Sequence, residues 1–380
     1  MGNNCQFLQA GPLGFAQYPY TPERNLPYGK EEYLIELLDD GGTKFSVYDP
    51  DAKSIEIEFT DGEHRFALEK DSKDVWKLIL YDVPPGLRYM KWYVNDVELI
   101  NKKAPIIYGY GGAYNFVEIP EKGEDFYYLK DVPHGSLRLE YYNSDFTDEP
   151  RACVVYTPPS YDTHPERYYP VLYAQAGGGE NETAWSQQGK INFILDNLIA
   201  EGKCREMLVV MNAAYVFPKE GKDCDDADAM LDNYSQLLIK DCIPFIEKRF
   251  RVIPDALNRA ICGNSMGASQ TQWLAFHYPG TASYMGVFSG RLLGEIREQP
   301  GQYDPSKYYA DGHQEAFNKE FQYVLYARGQ KEDGAQQEQE VEKLRESGFH
   351  INFFMQKGKH EWQFWRKAVR EFLTHLFIQN

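Results

Sequence analysis

No run of about 18 apolar residues occurs in the 380-residue sequence, so no segment predicts a membrane-spanning helix. Paired cysteines are missing too. Cys5, Cys153, Cys204, Cys224, Cys242 and Cys262 include no CxxC and no Cys/His spacing suited to zinc. Single thiols scattered through a chain of this length read as buried side chains in a protein that needs no covalent staples. Positive charge is scarce: 40 Lys+Arg against 57 Asp+Glu leave a formal net charge of −17. That balance argues against binding a phosphate backbone, which needs a basic face, so neither nucleic acid nor an anionic membrane is an expected partner. No period of 20–50 residues repeats, which sets aside solenoids and propellers. The N-terminus, MGNNCQFLQAGPLGFAQ, lacks a basic start with an apolar stretch behind it, and Gln6 stands where myristoylation wants Ser or Thr. As it stands this predicts a cytoplasmic chain; removal of a leader from a longer precursor would make it a secreted one.

What the chain does have changes along its length. Residues 1–30 are rich in Gly, Pro, Tyr and Asn and read as an irregular lead-in. Over 31–125, short alternating segments (Thr43–Tyr48, Ser54–Phe59, Val75–Leu80, Met90–Val94, Asn115–Ile119) are separated by Asp61-Gly62, Pro84-Pro85-Gly86 and Gly109-Tyr110-Gly111-Gly112. Strands at that spacing predict a small antiparallel β-sandwich. Over 131–380, apolar runs at Tyr169–Ala174, Met207–Met211, Ala260–Cys262, Tyr284–Phe288, Tyr323–Tyr326 and Ile351–Met355 alternate with segments of helical period at Ile191–Ala200, Tyr234–Phe250, Gly267–His277, Glu338–Ser347 and Trp362–Phe377. This predicts an α/β fold around a mostly parallel sheet.

The sharpest signal is Gly263-Asn264-Ser265-Met266-Gly267, directly after an apolar strand and opening a helix. Strand, turn and helix in that order are the context of the G-x-S-x-G nucleophile elbow, where the flanking glycines admit a turn too tight for Cβ atoms. A serine needs a histidine base, itself oriented by a carboxylate, and on this kind of sheet the chain order is Ser, acid, His. His277 and His375 fall inside helical segments, His313 in a polar stretch and His350 before the last strand; only His360 follows that strand, in the loop Lys357-Gly358-Lys359-His360-Glu361. The acid is expected at the end of the preceding strand, where Gly329-Gln330-Lys331-Glu332-Asp333-Gly334 offers two adjacent carboxylates, Glu332 or Asp333. After the strand Tyr169–Tyr173 comes Ala174-Gln175-Ala176-Gly177-Gly178-Gly179. Its N–H groups, from Gly177 or Gly178, together with that of Met266 suit a developing oxyanion, and the absence of Gly-Lys-Ser/Thr behind them sets aside a phosphate loop. Gln175, Trp185 and Trp362 lie at or beside these loops and are candidate substrate contacts; such rings also pack as plain core. The acidic cluster Asp223-Cys224-Asp225-Asp226-Ala227-Asp228 lacks the glycine and closing glutamate of a calcium loop and reads as a solvated loop.

Taken together, Gly263–Thr271 (GNSMGASQT), Gly177–Trp185 (GGGENETAW), Asp196–Lys203, His360–Arg366 (HEWQFWR) and His134–Arg138 resemble carbohydrate esterase family 1, over roughly residues 131–380, and within it the bacterial feruloyl esterases found with xylanases. The resemblance implies an α/β-hydrolase fold, Ser265 as nucleophile, His360 as base and Glu332 in the acid's position, where Asp is usual. Ala176 departs from the His-Gly usual at the start of the oxyanion loop, and Ala268 from a second glycine after the nucleophile. It further implies hydrolysis of hydroxycinnamoyl esters of arabinoxylan or its oligosaccharides with no metal or organic cofactor. Three rivals fit the same residues: an acetyl-xylan or other short-chain esterase, a siderophore esterase, and a carbohydrate-binding protein whose esterase domain is decayed. The N-terminal segment, with Phe45–Ser54 and Pro84-Pro85-Gly86, resembles a family 48 carbohydrate-binding module, an immunoglobulin-like sandwich.

Overall fold

The computed structural model describes residues 35–60, 62, 64–101, 104–220, 227–290 and 313–378. The lead-in and positions 223–226 of the acidic cluster lie outside them. The chain divides between Leu129 and Lys130 into two compact units. The first is all β: β1 (Ile35–Leu37), β2 (Thr43–Tyr48), β3 (Ile55–Phe59), β4 (Arg65–Ala67), β5 (Glu69–Lys70), β6 (Val75–Leu80), β7 (Gly86–Val94), β8 (Val97–Leu99), β9 (Ile106–Gly109) and β10 (Gly112–Ile119). They form two antiparallel sheets, β1-β2-β6-β5 and β4-β3-β7-β10-β9 with β8 beside β7. Alternation supplies the shared core: Phe45 and Trp76 from one sheet and Ile55, Ile57, Phe59, Met90, Trp92 and Val117 from the other join in a single apolar cluster.

The second unit is built on β11 (Ser136–Ser144), β12 (Glu149–Thr157), β13 (Val171–Gln175), β14 (Leu208–Asn212), β15 (Arg259–Asn264), β16 (Tyr284–Phe288), β17 (Tyr323–Gly329) and β18 (Asn352–Gln356). Their order is β11-β12-β14-β13-β15-β16-β17-β18. The sheet is mixed: β12 pairs antiparallel with β11 and β14, and pairing is parallel from β14 across to β18. Every residue of β13, β14 and β16 is buried, which is why these strands read as continuous apolar runs rather than alternating ones. The helices are α1 (Ala184–Gln187), α2 (Ile191–Ala200), α3 (Ala227–Leu237), α4 (Ile243–Arg249), α5 (Met266–His277), α6 (Gln314–Glu320), α7 (Gly334–Glu346) and α8 (Trp362–Leu373). The single helix expected over Tyr234–Phe250 is instead α3 and α4 joined by a π-helical turn, Leu238–Cys242. Pro244 opens α4 without an N–H to give the preceding turn, so the wider turn takes up the register change. None of the described helices is long and apolar enough to cross a membrane.

The start of this unit is locked to α2 by one buried carboxylate. Asp196 accepts from the Tyr156 hydroxyl (2.6 Å) and the Gly135 N–H (2.9 Å), and His134 Nδ1 lies 2.8 Å from its other oxygen. A side chain on Gly135 would stand 2.3 Å from the Thr157 carbonyl, so only glycine lets the chain pass at this point. Asp196→Ala strands a buried hydroxyl and a backbone N–H at once; we expect a loss of about 2–4 kcal/mol in stability, read as a lower urea midpoint at unchanged slope.

Candidate active site

The turn between β15 and α5 carries Ser265 at φ 54°, ψ −120°, a conformation that costs a non-glycine residue about 1–3 kcal/mol and persists only where the surroundings impose it. Here they do. The Ser265 N–H donates to the Phe288 carbonyl at the end of β16 (3.0 Å). A Cβ on Gly263 would lie 2.3 Å from the Gly267 carbonyl oxygen, and one on Gly267 would lie 2.5 Å from that of Ala176. The glycines of the motif are therefore steric requirements of the turn and of the loop that crosses it.

Three strand ends converge on this serine. His360, in the loop between β18 and α8, has Nε2 2.8 Å from Ser265 Oγ and Nδ1 2.8 Å from Glu332 Oε2. With the Nδ1 proton on the carboxylate side, Nε2 is free to accept the serine proton. Glu332, in the turn after β17, is nearly buried, with 7% of its side chain exposed, whereas 48% of the His360 side chain is exposed. Its other oxygen accepts from the Ser289 hydroxyl (2.7 Å) and the Gly329 N–H (3.3 Å). Asp333, the alternative acid, is exposed and takes the left-handed residue (φ 59°) before α7. The structure brings Glu332, not Asp333, to the histidine.

The glycine loop after β13 runs along Ser265 and Met266. A Cβ on Gly177 would stand 3.3 Å from Ser265 Cβ, and one on Gly178 would stand 3.8 Å from Met266 Sδ. Met266 is the first residue of α5, so its N–H belongs to the set a helix leaves unpaired at its N-terminus. The Glu180 N–H donates to the Gly177 carbonyl (3.2 Å) and closes the loop.

Gln175, Trp185 and Trp362 correct the sequence reading. Gln175 is fully buried, and Trp185 and Trp362 are 1% and 3% exposed. The Trp185 indole N–H donates to the Gln175 carbonyl (2.8 Å), and its ring meets Trp362 edge-on at 5.2 Å. Trp362 in turn meets Trp365 edge-on at 5.0 Å. Trp185 lies on α1 and Trp362 and Trp365 lie on the first turn of α8, and the three rings pack on one another in the interior instead of lining a surface open to a ligand.

Two supporting groups escaped the sequence reading. Ser289 gives its hydroxyl to Glu332 while accepting from the Trp365 indole N–H (2.8 Å), and the Trp365 ring stands edge-on to His360 at 5.1 Å. A lone serine just past an apolar strand was the available signal. Behind the glycine loop, the buried Glu180 carboxylate accepts from Gln188 Nε2 (2.9 Å), and the Gln188 carbonyl accepts from Arg366 Nε on α8 (2.8 Å). The thiol of Cys262 lies in the strand just below the elbow, and burial pushes its pKa up, away from a nucleophilic thiolate. Among the described residues no group of three or more His, Cys, Asp or Glu side chains is placed to hold a metal ion.

The sequence model of the Esterase family matches residues 144–376, which takes in the elbow, the acid turn and the histidine loop. The chain belongs to that family. An endo-1,4-beta-xylanase/feruloyl esterase of Xylanibacter ruminicola is 32% identical over 357 residues, covering 91% of this chain and 46% of the relative. Endo-1,4-beta-xylanase Y of Acetivibrio thermocellus is 29% identical over 147 residues, 36% of this chain and 12% of that protein. The chain thus spans less than half the length of these curated relatives. Among solved structures, the ferulic acid esterase of the anaerobic fungus Anaeromyces mucronatus superposes with a TM-score of 0.55 at 21% identity, over 67% of this chain and 96% of that one. The enterobactin esterase of Shigella flexneri superposes with a TM-score of 0.62 at 14% identity, over 90% and 95%. At these identities the likeness is one of fold, the esterase α/β-hydrolase fold.

Gly267→Ala tests the packing of the glycine loop on the elbow. Its methyl collides with backbone rather than with a flexible side chain, so we expect about 1–3 kcal/mol of destabilisation, measured by urea unfolding.

Proposed function

We propose that this chain is a serine carboxylesterase that releases hydroxycinnamic acids, ferulate foremost, from arabinoxylan or its oligosaccharides. The observation that carries the reading is the unbroken line from Ser265 Oγ through His360 to Glu332, with both links at 2.8 Å, beside a glycine loop. Ser265 attacks the ester carbonyl as His360 takes its proton. The N–H groups of Met266 and of Gly177 or Gly178 stabilise the oxyanion, and His360 returns the proton to the leaving alcohol. A water activated by His360 then attacks the acyl-enzyme and frees the acid. Glu332 holds the imidazole in its reactive tautomer and offsets the charge it gains.

Ferulate is favoured by the Xylanibacter relative, whose name couples xylanase to feruloyl esterase, and by neighbours solved with ferulic acid and with sinapinate. The acidic chain suits a neutral carbohydrate ester. We read the N-terminal sheets as an immunoglobulin-like module of the carbohydrate-binding kind. The likeness to the enterobactin esterase over 90% of the chain favours a second reading, hydrolysis of a catecholate siderophore, which the net charge of −17 opposes for an anionic ferric complex.

Hydrolysis of methyl ferulate, p-nitrophenyl acetate and enterobactin by the wild type and by Ser265→Ala tests this. We expect ferulate release to dominate and the variant to lose at least about 10³-fold in kcat. Cleavage of the acetate alone moves the reading to short acyl groups, cleavage of enterobactin alone moves it to siderophores, and undiminished activity in Ser265→Ala removes the mechanism. Glu332→Ala should cost about 10²–10⁴-fold in kcat and Asp333→Ala less than about threefold, since only the first touches His360. Equal small losses in both would place the acid elsewhere.

A further inference from the structure

Tyr215, in the loop after β14, stands out as an aromatic that the scaffold holds but does not cover. The residue is 39% exposed, while the backbone around it is fixed from several directions. The Ala214 N–H donates to the Glu180 carbonyl (3.4 Å), and the Ala214 carbonyl accepts from Gln270 Nε2 (2.8 Å). The Tyr215 carbonyl accepts from Arg151 Nη2 (3.1 Å), and Val216 is buried in the core. Two of those anchors, Glu180 and Gln270, belong to the glycine loop and to the helix that Ser265 opens. The ring is therefore placed by the same pieces that place the site.

Its tip reaches the nucleophile's neighbours. A Cβ on Gly178 would lie 3.5 Å from the Tyr215 hydroxyl and 3.8 Å from Met266 Sδ, and the adjacent Gly177 position lies 3.3 Å from Ser265 Cβ. Glycine at 178 thus leaves a phenol and a thioether facing one space, one residue from the serine. Leaving a large aromatic in water forgoes the free energy of burying it, so a rigidly presented ring beside a nucleophile is better explained by what it meets when a ligand binds. Phenol and thioether are both soft, polarisable groups that favour the face or edge of another ring.

We infer that Tyr215 is a specificity-determining residue that, with the Met266 side chain, forms the wall against which an aromatic acyl group packs. This rests on the ester-hydrolase reading above and assigns its preference for hydroxycinnamic acids to a named side chain. The contact is one of ring area, so phenylalanine should replace tyrosine and alanine should not.

The test uses p-nitrophenyl ferulate and p-nitrophenyl acetate, which share a leaving group and differ only in the acyl part, with the wild type, Tyr215→Ala and Tyr215→Phe. We expect Tyr215→Ala to lower the ferulate-to-acetate ratio of kcat/KM about tenfold, mainly through KM for the ferulate, and Tyr215→Phe to keep the ratio within about twofold of wild type. An unchanged ratio in Tyr215→Ala overturns the inference. Equal losses on both esters, carried in kcat, overturn it too, because they would make Tyr215 a brace of the glycine loop. Wild type inactive on both esters would instead fail the ester-hydrolase reading itself, and this inference with it; circular dichroism of each variant separates all of these from misfolding.

Discussion

The left-handed turn at Ser265 is the constraint from which the rest of the second unit takes its placement. An L-residue at φ 54° is unstable alone and is held by the N–H bond to Phe288, by the bare Gly263 and Gly267 on either side, and by the helix that begins at Met266. Because Gly267 has no Cβ, the Gln175 and Ala176 carbonyls can lie almost on the helix, and that close approach sets Gly177 and Gly178 beside the serine. Sheet order does the remainder. β13 and β16 flank β15, and β17 and β18 follow in step, so the glycine loop, Ser289, Glu332 and His360 leave the sheet from the same ends of successive strands. One strained residue and one strand order place every reacting group.

The charge arrangement follows a gradient of exposure. Glu332 is nearly dry and His360 is half in water. A buried carboxylate is costly unless donors surround it, and here His360, the Ser289 hydroxyl and the Gly329 N–H all face it. Ser289 cannot turn away, since its oxygen also receives the Trp365 indole N–H. The longer glutamate chain reaches the imidazole from the turn just ahead of α7, which begins at Gly334. Asp333, at the left-handed start of that helix, is committed to the helix boundary rather than to the histidine.

How much of this was legible follows from how local each signal is. The elbow could be read directly because its glycines, its serine and its strand–helix context lie within a dozen residues. His360 could be singled out because it alone follows the last strand. Glu332 and Asp333 could not be separated: neighbours in one turn share every local signal, and only the backbone conformation at 333 divides them. Trp185 and Trp362 were misread for a tertiary reason. An aromatic next to a loop is exposed or buried according to what packs on it, and α1 and α8, remote from each other in sequence, bring Trp185 and Trp362 against each other. Ser289 left only a weak signal, since one serine past an apolar strand looks like any other.

The same reasoning explains why the matched motifs extend beyond the reacting residues. Loops carry backbone groups that no ladder satisfies, so a loop that must hold its shape needs polar side chains from below. Glu180, three residues past Gly177, meets that need through Gln188, whose carbonyl takes Arg366 from the helix that follows His360. The glycine loop and the helix after His360 are thereby joined by one buried polar chain, and a chain of that kind is stable only when complete, because any member left alone becomes an unpaired buried group. Glu180 in GGGENETAW and Arg366 in HEWQFWR are thus two ends of a single structural requirement, distant in sequence and joined through Gln188.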